Sequence, residues 1–419
     1  MSAHDREARR GGLGRALRRP RGWVGLWARE SICGAQGGIW EAVAGGAAGA
    51  HTTGHRRPAM ASPPHPDRPP HQTSNPHAPS GTAATEPPTA LAREVFARCA
   101  SGRPTASAAL FGLAADAFGG TLAGGAFSPR DAYDAAELGL HLLLLRTVGR
   151  LPPEAGGARA ALAEVERLSA LLPSQTRRTA EQNDYQQFST PAAYAALCAW
   201  VSGVGEGDRV IEPSAGTGAL CAFALAAGAT VHANELSARR ADLLAVLLAE
   251  AGPDVTGTPR ATPTRENADH LDAVLPPAVR ADVVLMNPPF SATAGRLGSR
   301  RVVTVGTDHV LQALKRLDAG GRLVAVLSAG VRRGKPTHRA FYEAVDRPPL
   351  RLRADVEVGG AVYRPYGTSV RTRVLVVDHE SESISARSEG RVEAVVESVT
   401  EAVDVLASVR PGNISRPNA

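Results

Sequence analysis

The sequence lacks the cysteine patterns of metal centres and disulfide scaffolds. Its 419 residues include only four cysteines, and no two of them have CxxC or other metal-ligand spacing. A structural zinc site, an iron–sulfur cluster and a disulfide framework are therefore disfavoured. We expect no metal and a reducing compartment, the cytoplasm. The cysteines are Cys33, Cys99, Cys198 and Cys221.

Long apolar runs are also missing. The longest candidate, residues 138–145, is far shorter than the ~18 residues that a membrane span needs. Two arginine pairs lie in the first twenty residues. The stretch that follows them is interrupted by Arg29 and Glu30, so it makes a poor core for an export signal. We expect no membrane association. Met60 is an alternative translation start.

Lysine is scarce, with only Lys315 and Lys335, and the charge is uneven. The net charge is +6, but residues 1–88 contain eleven arginines against six acids, which is +5. Most of the excess therefore belongs to the N-terminal region, and the rest of the chain is close to neutral. Net charge alone does not indicate a nucleic-acid protein here.

Composition divides the chain into four segments. Residues 1–88 are rich in Pro, His, Gly and Arg and predict a disordered tail. Leucine and alanine at helical spacing predict a small helical N-terminal domain over 89–175, with one helix starting at Ser128 and Pro129. A catalytic domain is expected over 176–378. A linker and an amphipathic helix, which packs on the core or binds a partner, are expected over 379–419; its apolar residues are Val392, Val396, Val399, Val403 and Leu406.

From Val210 onward, short apolar runs alternate with helical segments. This pattern predicts an α/β fold with a doubly wound, mostly parallel sheet. A final pair of strands, near 351–358 and 371–378, predicts an antiparallel addition. The third strand contains Pro263, which is tolerated only at a sheet edge.

A glycine-rich segment, IEPSAGTGAL, follows the first strand at residues 211–220. Gly216 and Gly218 would let a ligand approach the backbone at the carboxyl end of the sheet, although an ordinary strand-to-helix turn is the alternative. A dinucleotide fingerprint would have a third glycine where Cys221 stands, so NAD is disfavoured. The candidate cofactor residues here are Glu212, Ser214, Ala215, Gly216 and Gly218.

Two acidic residues follow the next strands. Glu235 ends the second strand, where a carboxylate can accept hydrogen bonds from a ribose diol; a solvated strand-end acid is the alternative. Asp269 follows the third strand and either meets an adenine or caps the next helix.

The fourth strand ends in the tetrad Asn287, Pro288, Pro289 and Phe290. Two prolines prevent a sheet ladder and fix the backbone where the sheet opens. The Asn287 side-chain oxygen and the Pro288 carbonyl can accept hydrogen bonds from an amino group, and Phe290 can stack on a planar base. The tetrad therefore predicts the catalytic site, with a proline-stiffened loop as the alternative.

This NPPF tetrad resembles that of the amino-methyltransferases of nucleic acids. The motif QQFSTP, residues 186–191, precedes the glycine loop, which is the gamma-type order of this family. It resembles the family element that closes over the cofactor, and Thr190 and Pro191 are the residues that match. The chain is also similar to the methyltransferase region that precedes the helicase in bacterial strawberry-notch-like proteins. The similar stretches include FSPRDAYDA, GDRVIEPSAGTGAL, DVVLMNPPFS and YGTSVRTRVLVVD. This similarity covers residues 127–378.

The resemblance implies a Rossmann-like class I methyltransferase fold with S-adenosylmethionine as the cofactor. It also implies an exocyclic amine of nucleic acid as the substrate, with adenine N6 in DNA preferred. Few residues follow Asp378, where gamma-type enzymes carry a target-recognition domain and strawberry-notch-like proteins a helicase. We therefore expect a separate helicase or recognition subunit as a partner.

Other functions stay open on the sequence. They are an RNA guanine-N2 or adenine-N6 methyltransferase, and a non-catalytic module that binds cofactor or nucleic acid. QQFSTP disfavours a protein-glutamine substrate. A pyrimidine-C5 methyltransferase is disfavoured because no cysteine follows a proline.

Two basic clusters follow the fourth and fifth predicted strands of the sheet. They either contact phosphates or are solvated loop charges. The clusters consist of Arg296, Arg300 and Arg301, and of Arg332, Arg333 and Lys335.

Three further polar side chains lie near the final pair of strands: Tyr363, Tyr366 and Thr368. We expect them either to line a base pocket or to pack in the core.

Overall fold

The computed structural model describes residues 86–175, 189–290, 292–293, 301–381 and 390–411. The predicted disordered tail lies outside these residues, apart from its last three positions. Four helices come first, and the helix start predicted at Ser128 is confirmed by a capping box in which Ser128 and Asp131 bond each other's backbone N–H. The helices are α1 (Pro87–Ala100), α2 (Ser107–Phe118), α3 (Pro129–Thr147) and α4 (Ala155–Ser169).

An eight-stranded sheet forms the centre, in the order β10-β8-β9-β7-β4-β1-β2-β3. Every neighbouring pair is parallel except the two that involve β9. The strands are β1 (Arg209–Glu212), β2 (Thr230–Asn234), β3 (Ala261–Thr264), β4 (Ala281–Met286), β7 (Leu317–Ser328), β8 (Leu350–Val358), β9 (Thr372–His379) and β10 (Val392–Val396), and a separate hairpin pairs β5 (Ala292–Thr293) with β6 (Arg301–Val302).

Helices cover both faces of this sheet. Successive β4 residues alternate between two cores: Val283 and Leu285 face one core, and Val284 and Met286 face the other. The predicted fold class is confirmed: the sheet is doubly wound and mostly parallel, with a Rossmann-like layout. The remaining helices are α5 (Ala192–Ser202), α6 (Ala219–Ala226), α7 (Ala238–Glu250), α8 (Leu271–Val274), α9 (Val305–Leu314), α10 (Arg339–Val345) and α11 (Val399–Leu406).

The predicted edge position of the third strand is confirmed. Among the described strands, β3 pairs with β2 alone, and Pro263 stands opposite Ala233 with its ring exposed. Proline cannot donate to a ladder, so an end strand tolerates it where a central strand would not.

The C-terminal segment differs from the single helix that was predicted. Val392–Val396 is a strand, β10, parallel to β8, because its side chains alternate in burial and complete the sheet edge. Helix α11 follows, with Ser398 accepting the N–H of Glu401 as its cap. Val399, Val403 and Leu406 are buried, so the helix packs on the core.

The predicted N-terminal helices and the catalytic sheet share one hydrophobic core. Leu138 and Leu140 of α3 belong to the same buried cluster as Phe223 of α6 and Val283 of β4. The described residues from 86 onward belong to one compact unit. Among the described helices, none is both long and apolar enough to cross a bilayer.

Candidate functional site

The predicted motifs converge on one cavity at the carboxyl ends of β1, β2 and β4. This is the edge of an open α/β sheet at which ligands bind. Nine of the lining residues were predicted from the sequence: Thr190, Ser214, Ala215, Gly216, Glu235, Asn287, Pro288, Pro289 and Phe290. The others are Ser189, Thr217, Ala219 and Arg240.

The two glycines of the loop have different roles. Gly216 (φ +58°) lines the cavity, and an added Cβ there would meet nothing closer than Nη1 of Arg240, at 3.7 Å. An added Cβ at Gly218 (φ +95°) would lie 2.3 Å from Cδ2 of Leu247 in α7. Gly216 therefore leaves space on the cavity side, whereas Gly218 is required by helix packing.

Glu235 ties this loop to the end of β2. One carboxylate oxygen accepts the N–H of Gly216 at 2.8 Å, and the other accepts the N–H of Ser237 at 2.8 Å. The side chain is largely buried and lines the cavity. Two backbone bonds fix the carboxylate, which leaves further oxygen lone pairs as acceptors.

Glu212, at the end of β1, lies beneath the loop and not in the cavity lining. Oε1 accepts the Ser214 N–H at 3.2 Å, and Oε2 is buried with no hydrogen-bond partner among the described residues. Burial raises the pKa of Glu212 well above its usual range; the bond from Ser214 opposes this, and the charge of Glu235 adds to it. Glu212 therefore supports the loop through its bond to the Ser214 N–H, and its burial favours the protonated form.

The raised pKa makes stability depend on pH. Because the folded-state pKa lies above the unfolded value of 4.5, this group's contribution to stability falls as pH rises from 4.5 towards the folded pKa. Glu212→Gln keeps the acceptor for Ser214 but does not titrate. We expect the variant to gain about 1 kcal/mol or more on the wild type between about pH 5 and pH 8, measured by urea unfolding. A difference independent of pH would contradict the assignment.

Asn287 lies at the centre of the site. Its Nδ2 donates to Thr190 Oγ1 at 3.0 Å, which joins the NPPF tetrad to the segment carrying Thr190. Tyr363 is fully buried, and burial raises the pKa of its hydroxyl. Phe290 packs edge-to-face on Tyr363, with ring centroids 6.4 Å apart. Tyr363 therefore supports the tetrad from the core and does not line the cavity.

Helix α9 holds the two prolines from behind. An added Cβ at Gly306 would lie 3.2 Å from the Pro289 carbonyl oxygen and 3.6 Å from Cγ of Pro288. A side chain at this position would press on the tetrad. This contact could not be predicted from the sequence, because Gly306 is not in a recognisable motif.

Several predicted residues lie outside the cavity lining. Pro191 is buried at the start of α5, and Gly218 packs against α7. Asp269 does not cap the following turn, since Asn267 accepts its N–H instead. The Asp269 carboxylate lies 2.8 Å from Nε2 of His309.

The basic clusters are only partly described. Arg296 and Arg300 lie outside the described residues, and of Arg301 only the strand position is described. Arg333 pairs with Asp346 and stacks over Tyr342, so its charge is used within the fold. Arg332 is exposed and Lys335 half-buried in the loop after β7.

Helix α3 supplies contacts that sequence reasoning missed. Glu137 accepts the hydroxyl of Thr217 at 3.1 Å, and Nδ1 of His141 lies 3.1 Å from the Thr217 carbonyl oxygen. Burial lowers the pKa of His141 to about 4, so its ring is neutral. Polar residues within the apolar α3 stretch, a pattern visible in the sequence, were the available signal.

Comparisons with known proteins yield structural likeness only. No protein-family model and no curated protein sequence matches the chain. The methyltransferase subunit of a type I restriction-modification system from Streptococcus thermophilus is 15% identical, with a TM-score of 0.41, and the match covers 73% of this chain and 74% of that one.

Two further solved structures are similar in part. One is the modification subunit of a proposed type I restriction enzyme from Vibrio vulnificus YJ016, at 15% identity and a TM-score of 0.38, where 54% of this chain matches half (50%) of the subunit. The other is a candidate RNA methyltransferase from Pyrococcus horikoshii, at 18% identity and a TM-score of 0.38, where 54% of this chain matches 98% of that chain. These likenesses are distant, and the fold assignment rests on the strand order itself.

Proposed function

We propose that this protein is an S-adenosylmethionine-dependent methyltransferase that acts on an exocyclic amine of nucleic acid, above all adenine N6 in DNA. The observation that carries this proposal is the meeting of Asn287 and Phe290 with Gly216 and Glu235 in one cavity. The first pair suits a planar amine, and the second suits a nucleoside cofactor.

The lining of the cavity suits such a cofactor, because it combines the backbone of the glycine loop with polar side chains. Ser214 Oγ is buried there with no hydrogen-bond partner among the described residues, so a ligand can satisfy it. Glu235 would accept the ribose hydroxyls, and Gly216 would lie against the ligand backbone.

The tetrad would hold the amine. The Asn287 side-chain oxygen and the Pro288 carbonyl would accept its two N–H groups, which orients the nitrogen lone pair and stabilises the positive charge that develops on it. Phe290 would stack on the base, worth ~1–3 kcal/mol, after the base leaves its duplex. The bound cofactor supplies an electrophilic methyl group, and the amine loses its proton after attack.

Glu235→Ala is expected to weaken S-adenosylmethionine binding at least about tenfold. The change removes the ribose acceptor and leaves the Gly216 and Ser237 N–H groups without their partner, at ~1–3 kcal/mol per buried group. Isothermal titration calorimetry measures the effect. Glu266→Ala, an exposed acid in the same strand-end region, is the matched control and should leave binding unchanged.

The proposed partners are nucleic acid and a separate helicase or recognition subunit. Arg332 and Lys335 follow β7, whose carboxyl end lies at the same sheet edge as the tetrad, so they are proposed phosphate contacts. Arg301, Arg296 and Arg300 belong to the same proposal.

Methyl transfer itself tests the function. Tritiated S-adenosylmethionine is incubated with the protein and double-stranded DNA, single-stranded DNA or total RNA, and the nucleosides are analysed by mass spectrometry. We expect N6-methyladenine in DNA. Methylated guanine or adenine in RNA alone would move the substrate to RNA, and binding of cofactor without transfer would support a non-catalytic module.

A further inference from the structure

Asn234 is a buried polar residue at the end of β2, directly before Glu235. It is 1% exposed, and it is not among the described residues that line the cavity. A buried amide is unfavourable unless its polar atoms are hydrogen-bonded, because it loses its bonds to water when the chain folds. The partners of this side chain therefore indicate why an amide stands here.

The NH2 group of Asn234 ties two loops together. Nδ2 donates to the carbonyl oxygen of Pro213 at 2.9 Å and to the carbonyl oxygen of Glu266 at 2.9 Å. Pro213 lies at the start of the cavity-lining loop after β1, and Glu266 lies in the loop after β3. Both N–H donors of the amide are thus used, each on the backbone of a different loop.

The oxygen of the amide strengthens the tie to the loop after β3. Oδ1 accepts the N–H of Glu266 at 2.7 Å and the hydroxyl of Thr264 at 3.0 Å. Both bonds to Glu266 use its backbone, and its side chain is not involved. The amide has one favoured orientation, because turning it over would place N–H against N–H and oxygen against oxygen.

The backbone of residues 234 and 235 joins the same elements. The Asn234 carbonyl oxygen accepts the N–H of Ala215 at 2.8 Å. The N–H of Glu235 donates to the Thr264 carbonyl oxygen at 3.0 Å. The loops after β1 and β3 are therefore connected at the end of β2 through both backbone and side chain, and the Glu235 carboxylate stands on this connection.

We infer that Asn234 is a positioning residue for the cofactor cavity; this rests on the proposed function. Its amide fixes the loop after β1 and the loop after β3 on either side of Glu235 before a ligand binds. A site that is already ordered loses less conformational entropy on binding, so its affinity is higher. Asn234 acts through these loops and does not itself contact the cofactor.

Asn234→Asp tests the two ties, because it keeps the shape of the side chain and replaces the NH2 group with oxygen. A carboxylate donates to neither the Pro213 nor the Glu266 carbonyl, and a protonated carboxyl donates to only one, so at least one tie is lost. Calorimetry of the folded variant should show binding of S-adenosylmethionine and of S-adenosylhomocysteine weakened by the same factor, at least about tenfold. A new negative charge alone would instead favour the ligand that carries the sulfonium cation.

Tyr342→Phe is the matched control. It also removes a buried hydrogen bond, from the Tyr342 hydroxyl to Asp355 at 2.9 Å, and neither residue is among those described in the cavity lining. Both affinities should stay within about twofold of the wild type. Unchanged affinities in Asn234→Asp, or a change for one ligand only, would overturn the positioning role and leave the proposed function intact. A wild-type protein that binds neither ligand would overturn both.

Hydrogen exchange of the wild type decides the matter if Asn234→Asp does not fold. In the protein without ligand, the N–H of Glu266 should exchange at least about 100-fold more slowly than an unprotected amide, because Oδ1 of Asn234 holds it. Mass spectrometry with fragmentation to single residues measures this rate. Exchange at the unprotected rate would show that the loop is not fixed before binding and would overturn the inference.

Discussion

Asn287→Ala is expected to lower kcat for methyl transfer by about 10²–10³-fold, while the Kd for S-adenosylmethionine changes less than about threefold. In the proposed reaction, the Asn287 side chain would stabilise positive charge that is present on the amine only in the transition state. Its loss therefore affects the chemical step and not cofactor binding. Single-turnover rates and calorimetric titration of the same variant separate the two quantities.

The alanine variant also loses the bond from Asn287 to Thr190, so a conservative change is needed beside it. Asn287→Asp has nearly the same shape and retains an oxygen acceptor. We expect at least about tenfold more activity from it than from the alanine variant. Equal turnover in Asn287→Ala and wild type would rule out a catalytic role for the tetrad.

Gly218→Ala should destabilise the fold by ~2–4 kcal/mol, whereas Gly216→Ala should cost only ~1–2 kcal/mol. Both positions have positive φ, which strains any residue with a Cβ. Only at Gly218 does the added methyl also collide with Leu247, at 2.3 Å. Urea unfolding of the two variants measures the difference.

Cofactor binding should rank the variants in the opposite way. Gly216→Ala adds a methyl where the loop lines the cavity, and we expect S-adenosylmethionine affinity to fall at least about tenfold. Gly218→Ala, at a temperature where it stays folded, should bind closer to the wild type. If the two glycines proved interchangeable in both assays, the separation of packing and ligand roles would fail.

Local sequence was sufficient for much of the fold and part of the site. Residues 211–220 and the Asn287–Phe290 tetrad follow parallel strands directly, and such strand ends meet at one edge regardless of the rest of the chain. Pro263 predicted the edge position of β3, because proline has no N–H to donate to a second neighbouring strand. These predictions needed no knowledge of distant contacts.

Other features depend on residues far apart in the chain. Arg240 belongs to an arginine pair on an amphipathic helix, a pattern typical of a solvated face, and it is buried because Asp134 of α3 meets it. Val392 and Val396 fit a helical spacing as well as the two-residue period of a strand. The segment forms a strand because β8 has a free edge with which it can pair. The local sequence of the segment does not show that this edge is present.

The exposed proline in β3 has a consequence for how the protein behaves when it is concentrated. A strand at the end of a sheet is a template on which another molecule can add its own strand, and continued addition leads to aggregates. At Pro263 this template lacks a donor, because the ring occupies the position of the N–H. Intermolecular strand addition is therefore disfavoured along this side of the sheet.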